Sequence, residues 1–438
     1  MSDYQRVLAG LPNDWKTAKI EDLGSVVSGG TPSREISNYW GGTIPWVTPG
    51  EVTTLKQKTF RLTHESITNE GLRQSGANLL PAGSLLVTTR ASLGYCAINS
   101  VPVTTNQGFK SIVFRQGLHP DYYYHWTRKL SSELKRRASG TTFLEISGAD
   151  FKQIELPVPP SEEQQKIAQI LDTLDTQIQK TEALIAKLEK IKKGLLHDLL
   201  TRGIDQNGQL RPMPEEAPEL YKESALGLIP REWDVSELGT VTTSSVIGPF
   251  GSDLVASDYR SEGVPVVFVR DIAGARYDRV SQVFVSHKKA LALSAHEVKA
   301  GDLLLTKMGL PPCISAVYPE NEPAGIITAD IVRLRLNAAV TPKWAQYFVN
   351  SEYVKAQVRG ITAGVTRPKV TLKDVRSLKI AIPSTEEQAR ILDILQRCSK
   401  RLGSERAELS KLQSQKSGLM DDLLTGRVRV TPLLKDAG

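Results

Sequence analysis

The residues of this chain that come closest to a metal-dependent catalytic site lie in the segment "PDYYYHWTRKLSSELK" (120–135). It contains Pro120-Asp121 and then Glu133-x-Lys135, the residue types of a common nuclease site in which carboxylates hold a divalent cation. The segment predicts one continuous helix, 120–137, which would place Asp121 and Glu133 about 18 Å apart along the helix axis. Carboxylates at that separation cannot share a metal ion, so we expect no nuclease site.

Other catalytic patterns are missing from the sequence. It contains no Gly-Lys dipeptide, which excludes a Walker A phosphate loop, and no Asn/Asp-Pro-Pro-aromatic motif of an amino-methyltransferase. The six histidines show no ligand spacing, and we interpret His125 as a packing or surface residue. The three cysteines are far apart, which argues against a disulfide framework and a zinc site. We therefore predict no catalytic residues, no metal and no cofactor.

The charge distribution suggests a polyanionic partner. The net charge is +7 over 438 residues. Residues 1–160 carry 17 Lys and Arg against 13 Asp and Glu, and residues 229–383 carry 19 against 15, so each stretch is +4. Two basic bodies are typical of a protein that holds nucleic acid at two places, although many basic proteins bind none. No apolar run is long enough to cross a bilayer and no secretory signal is visible, so we expect a cytoplasmic protein without membrane contact.

The elements that must position any site form an internal repeat. "PSEEQQKIAQIL" (160–171) and "STEEQARILDIL" (384–395) open two segments, 163–201 and 387–425, that share 15 of 39 residues. The repeat extends upstream, where "PAGSLLVTT" (81–89) matches "KAGDLLLTK" (299–307) and "LPNDW" (11–15) matches "IPREW" (229–233). The chain is therefore two copies of one unit, a basic body followed by a helix.

Each repeated segment predicts a long helix with a heptad seam. Capping boxes are expected at Ser161 with Gln164 and at Thr385 with Gln388. The apolar steps of four and three predict that the two seams pair with each other, antiparallel, within one chain. The seam of the first helix comprises Ile167, Leu171, Leu174, Ile178, Ile185, Leu188, Leu195 and Leu199, and that of the second comprises Ile391, Leu395, Leu402, Leu409, Leu412, Leu419 and Leu423.

The two bodies are predicted to be α+β. Short β-rich runs such as "TIPWVT", "LLVTT", "VPVVFVR" and "DIVRLRL" alternate with Gly/Pro-rich turns, and one helix is expected in each copy, at 120–137 and 342–359. The predicted organisation is two tandem α+β target recognition domains with a pseudo-twofold repeat, joined by two long helices that form an antiparallel intramolecular coiled coil. Its segments are domain 1 (1–160), a central helix (161–201), an irregular linker (202–228), domain 2 (229–383), a second helix (384–425) and a tail (426–438).

At these residues the chain resembles the specificity subunits of type I restriction–modification systems. The likeness rests on the paired "PPSEEQQKIAQIL" and "PSTEEQARILDIL", on "LLHDLLTRG" and "LMDDLLTGR", on the connector "LLTRGIDQNGQLRP", and on "SNYWGGTIPWVTPGEV" and "LPAGSLLVTTRASLGY". The resemblance implies a non-catalytic subunit that recognises double-stranded DNA, with each body reading one half of a bipartite site. It also implies helices that set the half-site spacing and dock two methylase subunits, and restriction/translocase subunits in the same host-defence complex, which methylates adenine and cleaves DNA. The alternative is a structural coiled-coil scaffold without sequence-specific DNA binding.

The candidate DNA contacts lie in loops that combine Gly, hydroxyl, amide and basic residues at matching places of both copies. In the first copy they are Ser28, Gly30, Thr31, Arg34, Trp46, Thr48, Thr89, Arg90, Asn106, Gln107, Lys110, Thr141 and Thr142. In the second copy they are Phe250, Ser252, Arg270, Asp271, Lys307, Thr366, Arg367 and Lys369.

Overall fold

The computed structural model describes residues 2–140, 144–362 and 368–435. The chain divides into two compact units, one formed by Met1–Ile185 with Glu405–Gly438 and the other by Ala186–Ser404. Each unit therefore contains one basic body and a part of each long helix.

The body of the first unit alternates short helices and short strands. Its helices are α1 (Asp3–Ala9), α2 (Ile20–Leu23), α3 (Pro49–Thr54), α4 (Asn69–Arg73), α5 (Pro120–Thr127), α6 (Ser131–Arg137) and α7 (Gly148–Lys152). Its strands are β1 (Lys16–Lys19), β2 (Gly24–Ser28), β3 (Trp40–Val47), β4 (Thr59–Phe60), β5 (Glu65–Ile67), β6 (Leu85–Thr88), β7 (Cys96–Asn99), β8 (Thr104–Thr105), β9 (Phe109–Phe114) and β10 (Glu155–Val158). The first long helix, α8, follows at Ser161–Thr201.

The body of the second unit contains β11 (Tyr221–Ser224), β12 (Gly227–Pro230), β13 (Asp234–Glu237), β14 (Thr242–Ile247), β15 (Tyr259–Arg260), β16 (Val264–Val267), β17 (Phe284–Val285), β18 (Glu297–Val298), β19 (Leu303–Thr306), β20 (Ser315–Val317), β21 (Gly325–Ile327), β22 (Ile331–Leu336) and β23 (Lys379–Ile382). Its helices are α9 (His287–Ala292), α10 (Pro342–Val349), α11 (Glu352–Thr362) and α12 (Leu372–Ser377). The second long helix, α13, spans Thr385–Leu423, and α14 (Thr431–Lys435) follows it.

The two bodies share the central part of their sheet topology. In the first, a five-stranded sheet has the order β2-β9-β6-β7-β4, and a three-stranded sheet has the order β5-β3-β8. In the second, the sheet β14-β22-β19-β20 repeats the first four strands of that order. The pair β3 and β8 is parallel, and so is its counterpart, β16 and β21. The predicted α+β repeat is confirmed.

The prediction of one helix at 120–137 and one at 342–359 is wrong, because the chain forms two helices in each of these segments. The segment 120–137 breaks between α5 and α6, and the matching segment breaks between α10 and α11. In the second body the break has a local cause at Asn350. Its side-chain amide donates to Ser315 O at 2.9 Å and accepts from Ser315 N at 3.0 Å, which ties the end of α10 to β20. The connector is also less irregular than expected, since β11 and β12 pair as an antiparallel hairpin.

The long helices run in opposite directions within each unit. In the first unit, Glu163 near the start of α8 bonds Arg429 beyond the end of α13, and Asp175 farther along α8 pairs with Lys416. In the second unit, Leu199 near the end of α8 belongs to the same core cluster as Ile391 near the start of α13. All fifteen seam residues are buried or half-buried. Lys416, which interrupts the seam of α13, is buried beside the carboxylate of Asp175.

The repeated Gln residues do not form the expected capping boxes. Gln164 accepts from the backbone of His119 at 3.0 Å and donates to Pro159 O at 2.9 Å. Gln388 makes the equivalent bonds to Thr341 N and Pro383 O, both at 2.9 Å. Each Gln therefore joins the start of a long helix to the start of the short helix α5 or α10.

The repeated Glu residues form a second shared contact, which we call a clasp. In the second clasp, Arg211 donates to Glu387 at 2.6 and 3.1 Å and to Glu232 at 2.8 Å, and Trp233 Nε1 donates to Glu387 at 3.1 Å. Burial opposes the charge on Arg211, but its hydrogen bonds to Glu387 and Glu232 raise the pKa of the guanidinium. The second clasp therefore joins the chain beyond the end of α8 to the start of α13.

The first clasp uses the same residue types. Arg429 donates to Glu163 at 2.5 and 3.0 Å and to Asp14 at 2.7 and 2.8 Å, and its guanidinium lies 5.6 Å from the ring centre of Trp15. Hydrogen bonds to Glu163 and Asp14 raise the pKa of Arg429. The short motifs "NDW" and "REW" thus recur because each supplies one acid and one aromatic ring to a clasp.

Candidate nucleic-acid interface

The predicted loops of the first unit meet at one edge of its five-stranded sheet. Because β2, β9 and β6 are antiparallel neighbours, the ends of β2 and β6 lie beside the start of β9. β3 runs parallel to β8, so the loop after β3 reaches the same edge. The segments that meet there are 28–34, 48–51, 89–94 and 106–108.

The glycines of the first loop allow close backbone packing at this edge. Gly30 N donates to Thr105 O at 2.9 Å, and Trp46 Nε1 donates to Gly30 O at 2.9 Å. A Cβ atom on Gly30 would lie 2.2 Å from the carbonyl carbon of Gly76, so no larger residue fits without moving the backbone. The buried Trp46 is therefore a support for the loop.

Arg34 is held on two sides, by an aromatic ring and by a carboxylate. Its guanidinium lies 3.8 Å from the ring centre of Trp40 and makes a two-pronged ion pair with Glu65, with one contact at 2.9 Å. The hydrogen bond from Arg34 lowers the pKa of the Glu65 carboxyl group. Both terminal nitrogens of Arg34 are thereby engaged within the protein.

Amide and hydroxyl groups of the same loops make further hydrogen bonds at this edge. Thr31 Oγ1 donates to Gln107 Oε1, and Asn106 Oδ1 accepts from Gly108 N at 2.8 Å. Thr48 N donates to Glu51 Oε2 at 2.7 Å in a capping box. The side-chain amide nitrogen atoms of Asn106 and Gln107 have no protein partner among the described residues, which leaves donors for a base edge or a phosphate.

Arg90 lies on the neighbouring loop, where Glu145 partly covers its side chain. Its Nε is 3.5 Å from Glu145 Oε2, and both side chains are about two-fifths exposed, at 44% and 39%. A backbone bridge joins the same two residues. An exposed ion pair of this length is weak, so Glu145 holds the Arg90 guanidinium only loosely.

The second unit repeats this arrangement of loops. Gly248, after β14, donates to Ile331 O at 3.2 Å, and a Cβ atom on it would lie 2.1 Å from Thr328 O. Lys307, after β19, donates its backbone N–H to Asp330 O at 2.7 Å. The turn after β16 reaches the same place, since Thr328 N donates to Val267 O at 3.1 Å.

Cations and aromatic rings are paired on this surface too. Lys307 Nζ lies 4.6 Å from the ring centre of Phe250, which is 55% exposed, and Arg270 lies 4.6 Å from the ring centre of Phe268. Ser252 is exposed in a 3₁₀ turn two residues after Phe250. Lys369 is also exposed, and its backbone bridges to Met308, the residue after Lys307. Each ring holds its cation by a cation–π contact, and cations fixed in this way suit contact with phosphates or base edges.

Five predicted contacts are buried and do not present side chains to solvent. They are Gly30, Trp46, Thr89, Lys110 and Asp271. Thr89 donates to Gly108 O at 3.3 Å, and the Asp271 carboxylate accepts from three backbone N–H groups. These residues shape the loops, so we no longer propose them as direct contacts. Thr141, Thr142, Thr366 and Arg367 lie outside the described residues.

Sequence reasoning missed the residues that hold the two stacked arginines. Trp40 and Glu65 fix Arg34, while Phe268 and Ser281 fix Arg270. An aromatic residue two positions before Arg270 was a visible signal. Glu65 and Ser281 come from strands or segments distant in sequence, which no local pattern would indicate.

One cluster in the first unit has the residue types of a metal site. His125, Asp172 and Asp175 place their ligand atoms within 4.8 Å of one another. However, Lys58 Nζ lies 2.5 Å from Asp172 Oδ2, and Lys416 pairs with Asp175. Two ammonium groups already neutralise the carboxylates, so the cluster fits an ion-pair network better than a cation site.

The two carboxylates of the nuclease-like segment have separate cationic partners, and only Asp121 belongs to this network. Asp121 pairs with Lys58, and Glu133 is buried against Arg136 and Arg137 at 2.7 and 2.6 Å. The predicted continuous helix is broken between α5 and α6, but each carboxylate has its own cationic partner within the described residues.

The buried histidine of this network titrates below its ordinary range. His125 is fully buried, and burial lowers its pKa although its Nε2 lies 2.9 Å from the Asp172 carboxylate. Burial alone would raise the pKa of the Asp172 carboxyl group, but hydrogen bonds from His125 and Lys58 lower it.

Comparison with known proteins identifies the family. The family model described as "Type I restriction modification DNA specificity domain" matches twice, over residues 12–190 and 230–414. The chain belongs to this family of type I restriction–modification specificity proteins. The resemblance inferred from the repeated motifs is confirmed, and a scaffold without DNA recognition is not supported.

Individual relatives match the whole chain or a part of it, and two solved structures share its fold. The MjaIX specificity subunit of Methanocaldococcus jannaschii is 28% identical over 435 residues, covering 97% of this chain and 95% of the relative. The EcoR124I/EcoR124II specificity subunit of Escherichia coli is 31% identical over 170 residues, 37% of this chain and 41% of the relative. The specificity subunit structure from M. genitalium shares the fold, with a TM-score of 0.55 at 17% identity over 94% of this chain and 97% of that one. The subunit structure from Thermoanaerobacter tengcongensis gives a TM-score of 0.51 at 16% identity over 95% of this chain and 98% of that one.

Among the described helices, none combines the length and apolar character that a membrane span requires.

Proposed function

We propose that this chain recognises a bipartite DNA site, with each unit binding one half-site through the loop edge described above. The observation that carries the proposal is the recurrence of one arrangement in both units. In each, loops from equivalent strands meet at one sheet edge, and that edge presents exposed cations supported by aromatic rings. Cations position a protein on phosphates, and the accompanying amides and fork-shaped arginines read base edges.

The proposed contacts are the exposed and half-buried members of the predicted set. In the first unit they are Ser28, Thr31, Arg34, Thr48, Arg90, Asn106 and Gln107. In the second they are Phe250, Ser252, Arg270, Lys307 and Lys369. The predicted residues outside the described parts of the chain, 141–142 and 366–367, remain candidates.

The long helices supply the proposed spacing between half-sites. Each is uninterrupted, 41 residues in α8 and 39 in α13, and each has residues in both units. A helix is the natural element for this role, since its length follows directly from its residue count. We further propose that two methylase subunits dock on these helices and bring the catalytic chemistry, and that restriction subunits join through that complex.

The experiment that tests this proposal is a methylation assay with reconstituted subunits. The chain, its methylase partner, both together, and both with residues 1–160 exchanged for those of a relative are each incubated with genomic DNA and a methyl donor. Methylated adenines are then mapped by single-molecule sequencing. We expect methylation in a split sequence only from the complex, and a change in one half-site only after the exchange. Methylation by the lone chain, or a change in both half-sites after the exchange, would contradict the proposal.

A further inference from the structure

Arg270 is held so that one edge of its guanidinium is left for a ligand. It lies in the 3₁₀ turn Val269–Asp271, directly after β16. Its Nε donates to Ser281 Oγ at 2.5 Å, and its plane is supported by the Phe268 ring at 4.6 Å. Within the described parts of the chain, Nη1 and Nη2 have no protein partner, so two parallel donors point away from the anchored side.

The support beneath Arg270 is itself fixed by the buried carboxylate of Asp271. That carboxylate accepts from Phe268 N at 2.7 Å, from Val280 N at 3.0 Å and from Ser281 N at 2.8 Å. It therefore joins the turn that carries Arg270 to the segment that carries Ser281. A side chain held in this way loses little conformational freedom when it binds, which favours a specific contact over a diffuse electrostatic one.

We propose that Arg270 reads a guanine in the major groove of the half-site bound by the second unit. This inference rests on the proposed function. Two parallel N–H donors match the O6 and N7 acceptors of guanine, an arrangement that no other base edge offers. A phosphate would accept the same fork, but the Phe268 and Ser281 anchors hold the guanidinium in one plane, as a base edge requires.

Two other arginines show why the assignment is restricted to Arg270. Arg34 of the first unit also stacks on an aromatic ring, but both of its terminal nitrogens are paired with Glu65. Arg276 lies on the same segment as Arg270, yet it is 73% exposed and pairs with Asp278 at 2.5 Å. Only Arg270, of these three, combines a supporting ring with a free pair of terminal donors.

The test uses the complete methylase complex and a randomised DNA library. Recognition sequences are mapped for the wild-type chain and for the variants Arg270→Ala, Arg270→Lys and Arg276→Ala. We expect Arg270→Ala to lose the preference for one guanine in one half-site by about 5- to 150-fold, the usual worth of a two-pronged contact, and to keep every other position. Arg270→Lys keeps the charge but not the fork, so it should lose the same preference while retaining more overall methylation. Arg276→Ala, which removes the same charge, should leave the recognised sequence unchanged.

The opposite outcomes are equally distinct. If Arg270→Ala lowers methylation at all sites alike and keeps the recognised sequence, Arg270 contacts the backbone and the inference is wrong. A half-site of the second unit composed only of A·T pairs would also overturn it. Failure of the proposed function looks different, because the wild-type complex would then show no split recognition sequence at all. Equal melting temperatures of the four proteins establish that the variants are folded.

Discussion

The second clasp makes a quantitative prediction about stability. In Arg211→Met, the buried carboxylate of Glu387 loses its cation and, among the described residues, keeps only the N–H groups of Trp233 and Ile204 as donors. Arg211 and Glu387 are 7% and 5% exposed, so solvent cannot replace the lost partner without local rearrangement. Removing one member of a buried ion pair typically costs about 3–5 kcal/mol of unfolding free energy.

That loss should be visible as a change in melting temperature. For a unit of this size, about 2–4 °C are lost per kcal/mol, so the transition of the second unit should fall by roughly 6–20 °C. Differential scanning calorimetry of the purified chain measures this directly. Arg276→Met is the matched control, because it removes an arginine whose ion pair is exposed and should change stability by no more than about 0.5 kcal/mol.

A double variant separates the loss of the pair from the loss of packing. Arg211→Met combined with Glu387→Met leaves no buried charge, and we expect it to recover much of the stability lost by Arg211→Met alone. If Arg211→Met melts with the Arg276→Met control, the clasp does not stabilise the second unit and the reasoning fails.

Three further predictions follow from other parts of the molecule. Acidification from pH 7 to pH 5 should destabilise the first unit, because the folded pKa of His125 lies below its ordinary value and the unfolded chain takes up the proton first. His125 is the sixth residue of α5, and Tyr347 is the sixth residue of α10. His125→Tyr, which copies Tyr347, should therefore flatten that pH dependence in calorimetry. Gly203→Ala should lower the melting temperature of the second unit strongly, because the φ of Gly203 is +61° and a Cβ atom there would lie 2.2 Å from Glu387 Oε1. Gly208→Ala is the control. The φ of Gly208 is +77° but the space around it is open, so this variant should show only the smaller cost of its backbone conformation. A heptad inserted near residue 181 and matched near 405 adds about 10 Å of helix, so it should lengthen the unspecified spacer by up to roughly three base pairs. A two-residue insertion should turn the following seam out of register and inactivate the complex. An unchanged spacer in the heptad variant would show that other elements set the spacing.

Periodic patterns in the sequence predicted the larger elements well. The heptad steps indicated both long helices and their seam, and the β-rich runs fell on β3, β6, β16 and β22. These features depend on regular burial of one face, which a sequence displays directly. The sequence repeat likewise indicated that the two bodies share a fold.

Features that depend on partners distant in sequence were not predictable. The break between α10 and α11 depends on a contact of Asn350 with β20, and the Gln residues near the helix starts bond α5 and α10 instead of capping. Asp271 was predicted as a DNA contact, because nothing near it in sequence reveals the backbone N–H groups of residues 280 and 281 that its carboxylate accepts from. Burial of a loop side chain is decided by how loops from different strands meet.

The two clasps have a consequence for how new specificities arise. Each is completed by an arginine that follows one long helix and a glutamate that begins the other, and both use the same residue types. A crossover within α8, between two genes that both encode these residues, would therefore join a foreign first body to a resident second body and still supply an arginine for each glutamate. A lineage that keeps these few residues constant can exchange a loop-bearing body, and so acquire a new DNA target in one recombination event, while it retains both clasps.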